Sequence, residues 1–474
     1  MSALREKRFE CEGEGILKPK NTDLGHMEIP VKFTCAQHFD GDIDGTITLI
    51  EGDYTQYYLK LFHPRKDIKF SINANLGGGE LNIEELICIS HHSSQTTERI
   101  VLRDITFIAD YLKSKHREIS SATNKIFCSF DVFNLKSLMT IFEIEEGKVT
   151  FFNYEGDVWK DIEIYKKSGI TGSVQIELND EVKLQSIEAY KSLLFNKINK
   201  ILQLASLSQG THIDWASFEL FEQNSEGEYE RVYSERRNIP SAFSARHELT
   251  SYLDLSNYFR KNYPNYTDNL DTDLGFSFAL EWYLESLNRS LLESGYIGLF
   301  TVLETFIYRF ATTQKPPKEF ILVNDDFKRF KENLKETMKG CLSALSINTD
   351  KDMRNALYSN LSCLNRYSFR YNLTTFLRYY KIGYGDIIED LKDLGILKDV
   401  RDKITHRGTS ERDFDALIDA HDKLMALVQR IFLAILNYEG SYWNWINKNL
   451  EPFKKDPNND WIREKNVECE ENEG

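Results

Sequence analysis

Two side chains suited to acid–base and electrostatic chemistry stand close together near the end of one apparent helix. They are Arg401 and His406, in the run Val400-Arg401-Asp402-Lys403-Ile404-Thr405-His406-Arg407-Gly408. Nowhere else does an arginine precede a histidine with four to six residues between them. A histidine changes charge near neutral pH, so His406 could take the proton from a ribose 2′-hydroxyl or deliver one to a leaving 5′-oxygen. A guanidinium could stabilise the extra charge that a phosphate gathers in the transition state. On RNA such a pair would leave a 2′,3′-cyclic phosphate and a 5′-hydroxyl. That chemistry needs no metal, and no cofactor motif occurs. Five residues of an ideal helix rotate a side chain by about 500°, or roughly 140° net. Arg401 and His406 therefore do not share a helix face. They converge only if the helix ends between them or if two copies of the chain meet. Gly408 is a good C-terminal glycine, and a helix C-terminus favours a protonated histidine. The alternative is a solvated helix end, with Arg401 paired to a neighbouring acid and His406 capping carbonyls.

The elements that would hold this stretch are helical. Ile387 to Arg407 reads as a helix weakened at Gly395. Ser410, three residues before Asp413, supplies a start signal for a last helix from about Glu411 to Tyr438, with Leu417, Leu424, Leu427, Ile431 and Ile435 as its core stripe. Phe276 to Phe310 reads as one or two helices, with a break expected near Gly295 and Gly298. Pro316-Pro317 ends that segment, and further helices are expected over Asp325 to Leu345 and within Asp352 to Tyr380. Residues 247–450 thus read as an all-α bundle.

The first half reads differently. Ile43 to Ile50 alternates, with β-branched residues, and Tyr57 to Phe62 after the turn Glu51-Gly52-Asp53 suggests a hairpin partner. Ile100 to Ile108, Lys125 to Phe133, Val149 to Phe152, Ile170 to Leu178, Trp215 to Phe221 and Tyr229 to Ser234 are further strand candidates. One long helix fits Glu181 to Leu207. Gly77-Gly78-Gly79 lacks the lysine and Ser/Thr of a phosphate-binding loop. His91-His92 would point to opposite faces of a strand and cannot easily share one ion. Residues 1–245 are expected to form a β-rich, sandwich-like antiparallel sheet, which makes the chain α+β with a domain boundary near 245.

With 474 residues and 41% hydrophobic composition, the chain has material for more than one core. Its net charge of −15 argues against global electrostatic binding of nucleic acid, though not against a local basic site. Seven scattered cysteines without a C-x-x-C pair fit reduced thiols in a cytoplasmic protein. No apolar run is long enough to span a membrane. Residues 451–474 read as an acidic tail.

Val400 to Gly408 resembles the Arg-polar-x-x-x-His signature of HEPN ribonucleases, and the surrounding chain is similar to the ApeA-like branch. Leu303-Glu304 matches an earlier Leu-Glu pair of that branch, and Leu436-Asn437-Tyr438-Glu439-Gly440-Ser441-Tyr442 matches its Leu-x-Tyr-x-Gly-x-Tyr run. The strand Gly45-Thr46-Ile47-Thr48-Leu49 is similar to the branch's N-terminal domain. The resemblance implies an endoribonuclease of abortive-infection defence against phage, working on RNA (often tRNA) as a homodimer or higher homo-oligomer with a composite site. It implies catalytic places for Arg401 and His406 and an orienting role for Glu304. Asp402 stands where the family most often has asparagine. Lys403 and Arg407 could touch phosphates. The β-rich half would sense a trigger, such as a phage-derived activating protein, or restrain the nuclease. Arg366, Arg370, Arg378 and Lys381, interleaved with Tyr367, Phe369, Tyr371 and Tyr379, could also contact RNA. Aromatics at these spacings on helices are more often core, and core is the expectation here.

Overall fold

The structure is a computed structural model that describes residues 6–20, 28–50, 69–76, 79–95, 100–119, 125–136, 140–154, 158–165, 168–238, 248–250, 255–313, 320–344, 351–385, 387, 393–409 and 414–455. The chain divides into two compact units, Met1–Pro264 and Asn265–Gly474. The first is a large antiparallel sheet and the second is mainly helical, so the chain is α+β.

Alternation of apolar and polar residues builds the first unit. Its strands are β1 (Lys7–Pro19), β2 (Ile29–His38), β3 (Ile43–Leu49), β4 (Phe70–Leu76), β5 (Gly79–Gln95), β6 (Ile100–Ile108) and β7 (Tyr111–Lys115). They continue with β8 (Ile126–Phe133), β9 (Thr140–Ile144), β10 (Gly147–Asn153), β11 (Ile170–Leu178), β12 (Trp215–Gln223) and β13 (Tyr229–Arg237). In β3, Ile43, Ile47 and Leu49 are buried while Thr46 and Thr48 are exposed, as period-2 patterning requires. Its partners are β2 and β6; the expected partner at Tyr57 to Phe62 lies outside the described residues. The strands run in the order β4-β1-β2-β3-β6-β5-β7-β13-β12-β8-β11-β10-β9, and β4 also pairs with β5. That extra pairing curls the antiparallel sheet and closes β1 to β6 into a ring. Val31, Phe33, Ile47, Ile72, Ile83, Ile105 and Phe107 fill the ring. Gly45 lets the ring close tightly, because a Cβ there would sit 2.0 Å from the Thr34 carbonyl oxygen and 2.7 Å from the Phe107 ring. Cys11 and Cys35, distant in sequence, stand opposite each other on β1 and β2 as free thiols.

Helix α1 (Val158–Tyr165) follows β10, and helix α2 (Ile187–Gln209) covers the second part of the sheet. α2 starts later than Glu181 because Ser186 caps it, accepting from the Ala189 amide, and it ends at Gly210 with φ of 57°. Phe195 of α2 stacks on Trp215 and meets Phe130 and Phe218 edge-on. The buried Asp131 carboxylate accepts hydrogen bonds from Arg8 (3.1 Å), Ser217 (2.8 Å) and Tyr154, tying β1 to β8 and β12. Helix α3 (Leu255–Asn262) also belongs to this unit: Phe259 stacks on Phe142 at 4.7 Å. The division therefore falls at Pro264, later than the change of periodicity near 245.

The second unit contains α4 (Asp268–Leu274), α5 (Phe276–Leu287), α6 (Leu292–Thr313), α7 (Asn324–Ala344), α8 (Lys351–Asn360), α9 (Phe369–Tyr379), α10 (Asp393–Arg407) and α11 (Phe414–Ile435). A small hairpin follows, β14 (Ser441–Asn444) with β15 (Asn449–Pro452), which helical periodicity did not predict. Buried Arg430 on α11 anchors it by donating to the Tyr442 hydroxyl at 3.0 Å. The start signal at Ser410 and most of the acidic tail lie outside the described residues.

The break between α5 and α6 falls at residues 288–291, not at the glycines. Gly295 and Gly298 lie inside α6 and are buried. A Cβ at Gly298 would sit 2.1 Å from the Ser286 Oγ, so this glycine permits close approach of α5. Gly298→Ala is therefore expected to destabilise the helical unit by about 1–3 kcal/mol through overpacking, read from the shift of its denaturant transition.

Candidate functional site

The stretch from Val400 to Gly408 ends one helix and is held by another. α6 is largely enclosed in the second unit; Leu299, Phe300, Val302, Leu303, Phe306 and Ile307 on it are all buried. α10 lies on α6 through Leu397, Val400 and Ile404, which are buried, and through the Tyr296 hydroxyl, which donates to the Leu397 carbonyl at 2.9 Å. This packing sets Arg401 against Glu304 of α6. The Arg401 Nη2 donates to Glu304 Oε1 at 2.5 Å and Nη1 donates to Asp402 Oδ1 at 2.7 Å. The guanidinium also lies over the Phe300 ring, 5.3 Å from its centroid. Asp402 is in turn 3.4 Å from Lys398, one turn earlier. The hydrogen bond to Glu304 is the main reason that the Arg401 pKa is raised above the ordinary arginine value, with Asp402 adding to it.

His406 occupies the last turn of α10 and is exposed. Among the described residues, none gives it a hydrogen bond or an ion pair. Gly408 terminates the helix, with φ of 76° and its amide donating to the Ile404 carbonyl at 2.9 Å. The helix thus runs through His406 and does not end between the two residues. Within one chain they stay on different faces, about 7.5 Å apart along the axis. The expected helix end between them is therefore not present.

Of the residues singled out in the sequence, the structure brings Arg401, Asp402 and Glu304 together and leaves His406 apart. Lys403 is half-buried, and Arg407 is exposed as the last helical residue. Three contributors escaped the sequence reading: Phe300 beneath the guanidinium, Tyr296 as the tie to α10, and Lys398 beside Asp402. Two of these had a visible signal, the one-turn spacings Phe300–Glu304 and Lys398–Asp402. Among the described residues no group of three or more His, Cys, Asp and Glu side chains is placed to hold a metal ion. No described helix is long and apolar enough to cross a membrane. No protein-family model matches the chain, and no curated protein matches it.

Arg401 and Glu304 remain in contact with water, their side chains 28% and 39% exposed. Such a pair contributes little to stability, and the two hydrogen bonds of Arg401 hold the guanidinium in one orientation. Glu304→Gln is expected to cost less than about 1 kcal/mol in unfolding free energy. A loss of several kcal/mol on denaturation would instead mark a desolvated, purely structural pair.

Proposed function

We propose that this protein is a metal-independent endoribonuclease whose site is assembled from two copies of the chain, cutting RNA to 2′,3′-cyclic phosphate and 5′-hydroxyl ends. The observation that carries the reading is the pairing of an aimed cation with a histidine that no described residue engages. Arg401 is fixed by Glu304, Asp402 and Phe300, while His406 stands exposed near the end of the same helix. In this reading His406 moves the proton of the 2′-hydroxyl or of the 5′-oxygen, and Arg401 neutralises charge on the phosphate. Glu304 keeps the guanidinium in place through a charge-assisted hydrogen bond. Lys403 and Arg407, on the same turns of α10, contact flanking phosphates. The resemblance to ApeA-like HEPN ribonucleases supports this chemistry and a role in abortive infection, with tRNA as one candidate substrate. It also supports a sensing or restraining role for the β-rich unit, with a phage-derived protein as the trigger.

One observation favours a second reading, a non-catalytic module that binds RNA or protein. The Asp402 carboxylate sits on Arg401 and offsets the charge that a phosphate would need. Purified protein incubated with total RNA separates the two. The expected result is cleavage that persists in chelator and is lost in His406→Ala. Because each site draws on two chains, mixing Arg401→Ala with His406→Ala subunits should restore one site per mixed dimer, or about a quarter of full activity. RNA binding without cleavage in every form, including protein from phage-infected cells, would leave the binding module.

A further inference from the structure

The distribution of charge in the helical unit is uneven. Between Asp352 and Asp386 the chain has no aspartate or glutamate, yet it carries Arg354, Arg366, Arg370, Arg378 and Lys381. The whole protein is at −15, so this is a local basic island in an acidic molecule. The same stretch holds Tyr358, Tyr367, Tyr371, Tyr379, Tyr380 and Tyr384.

The structure shows how these residues are sorted. α9 buries Leu373, Phe376 and Leu377 against the core. Its other side leaves Arg366, Arg370, Arg378 and Lys381 exposed, together with Tyr371 (43%) and Tyr379 (64%). The expectation of core fails for Tyr371 and Tyr379, which are exposed; Tyr367 and Phe369 are half-buried, and the buried aromatics of this stretch are Phe376 and Tyr384. Tyr367 and Tyr371 stack at 4.5 Å with planes 15° apart, a flat platform at the start of the helix. No described residue forms an ion pair with Arg366, Arg370 or Arg378. Arg378 and Arg370 both lie near Tyr384, whose pKa burial pushes up to about 12 while the two cations pull it down. Lys455 adds a further cation, its pKa lowered by burial and by the charge of Lys381. Arginines that no described residue pairs with, beside exposed rings, are what a polyanion with stackable faces would require.

The island also adjoins the candidate site. Phe369, the first residue of α9, stacks on Phe300 at 5.3 Å, and Phe300 is the ring beneath Arg401. A strand leaving Arg401 would meet the Tyr367–Tyr371 platform first and then follow α9 past Arg378 to Lys381.

We propose that the exposed side of residues 366–381 is a binding track for single-stranded RNA, with Tyr367, Tyr371 and Tyr379 stacking on bases and Arg366, Arg370 and Arg378 contacting phosphates. The track deepens the ribonuclease reading and rests on it for the direction of the strand, but binding is measurable without cleavage. The test uses full-length His406→Ala protein, which leaves RNA intact, and fluorescence anisotropy with labelled single-stranded oligoribonucleotides. Replacing Tyr371 and Tyr379 together by alanine should weaken binding about tenfold or more. Replacing Arg370 and Arg378 by alanine should reduce the slope of log affinity against log salt by about 1.4. Arg370→Lys with Arg378→Lys should keep most of that slope, and circular dichroism should be unchanged throughout. Absence of RNA binding in the parent, equal binding by the alanine variants, or tyrosine-independent binding that is as tight for duplex would each overturn the proposal. Failure of the two readings is distinguishable. A track that binds RNA in a protein that never cuts it leaves this inference standing alone. Cleavage lost in Arg401→Ala but untouched by the tyrosine and arginine variants leaves only the ribonuclease.

Discussion

The helical unit depends on the enclosure of α6. Phe276 and Phe306 both meet Phe432 of α11 edge-on, Phe310 meets Phe376 of α9, and Gly298 lets α5 come close. A helix surrounded in this way has few rotational alternatives, because interiors are close-packed and tolerate little displacement. The one acid that it offers to α10, Glu304, is therefore fixed in space, and through it so is the Arg401 guanidinium. The buried contacts supply the stability. The polar contact supplies direction.

That division explains what the sequence could and could not convey. Strands Ile100–Ile108 and Ile170–Leu178 match their sequence-derived limits because alternation is a local property. The ring is not local: closure rests on β4 meeting β5, and no periodicity encodes which strand pairs with which. Gly295 and Gly298 were read as helix breakers because backbone propensity is all that sequence offers; their use is in packing, which needs the partner helix to be seen. The end of α10 at Gly408 was legible from the glycine itself. The relation of Arg401 to His406 followed from helical geometry, but only the structure shows that the helix continues past both.

The tyrosines around α9 show the same limit from the other side. Spacing could not tell a core aromatic from an exposed one, since Phe369, Tyr371, Phe376 and Tyr379 occupy similar intervals. What separates them is depth: Phe376 and Tyr379 both touch Phe310 of α6, yet only Phe376 is buried. The charge pattern, by contrast, was present in the sequence all along, as a long interval without a single acid.

The closed ring has a counterpart at the far end of the sheet. Among the described residues the last strand, β9, is five residues long, and the Ile141 amide donates to the Ser256 hydroxyl of α3 at 3.3 Å. An outward-facing amide that would otherwise invite another strand is thereby occupied. The sheet closes on itself at one end and has an edge amide satisfied by a helix at the other. Closure at one end and a satisfied amide at the other both limit strand addition along this sheet, a process with no natural stopping point.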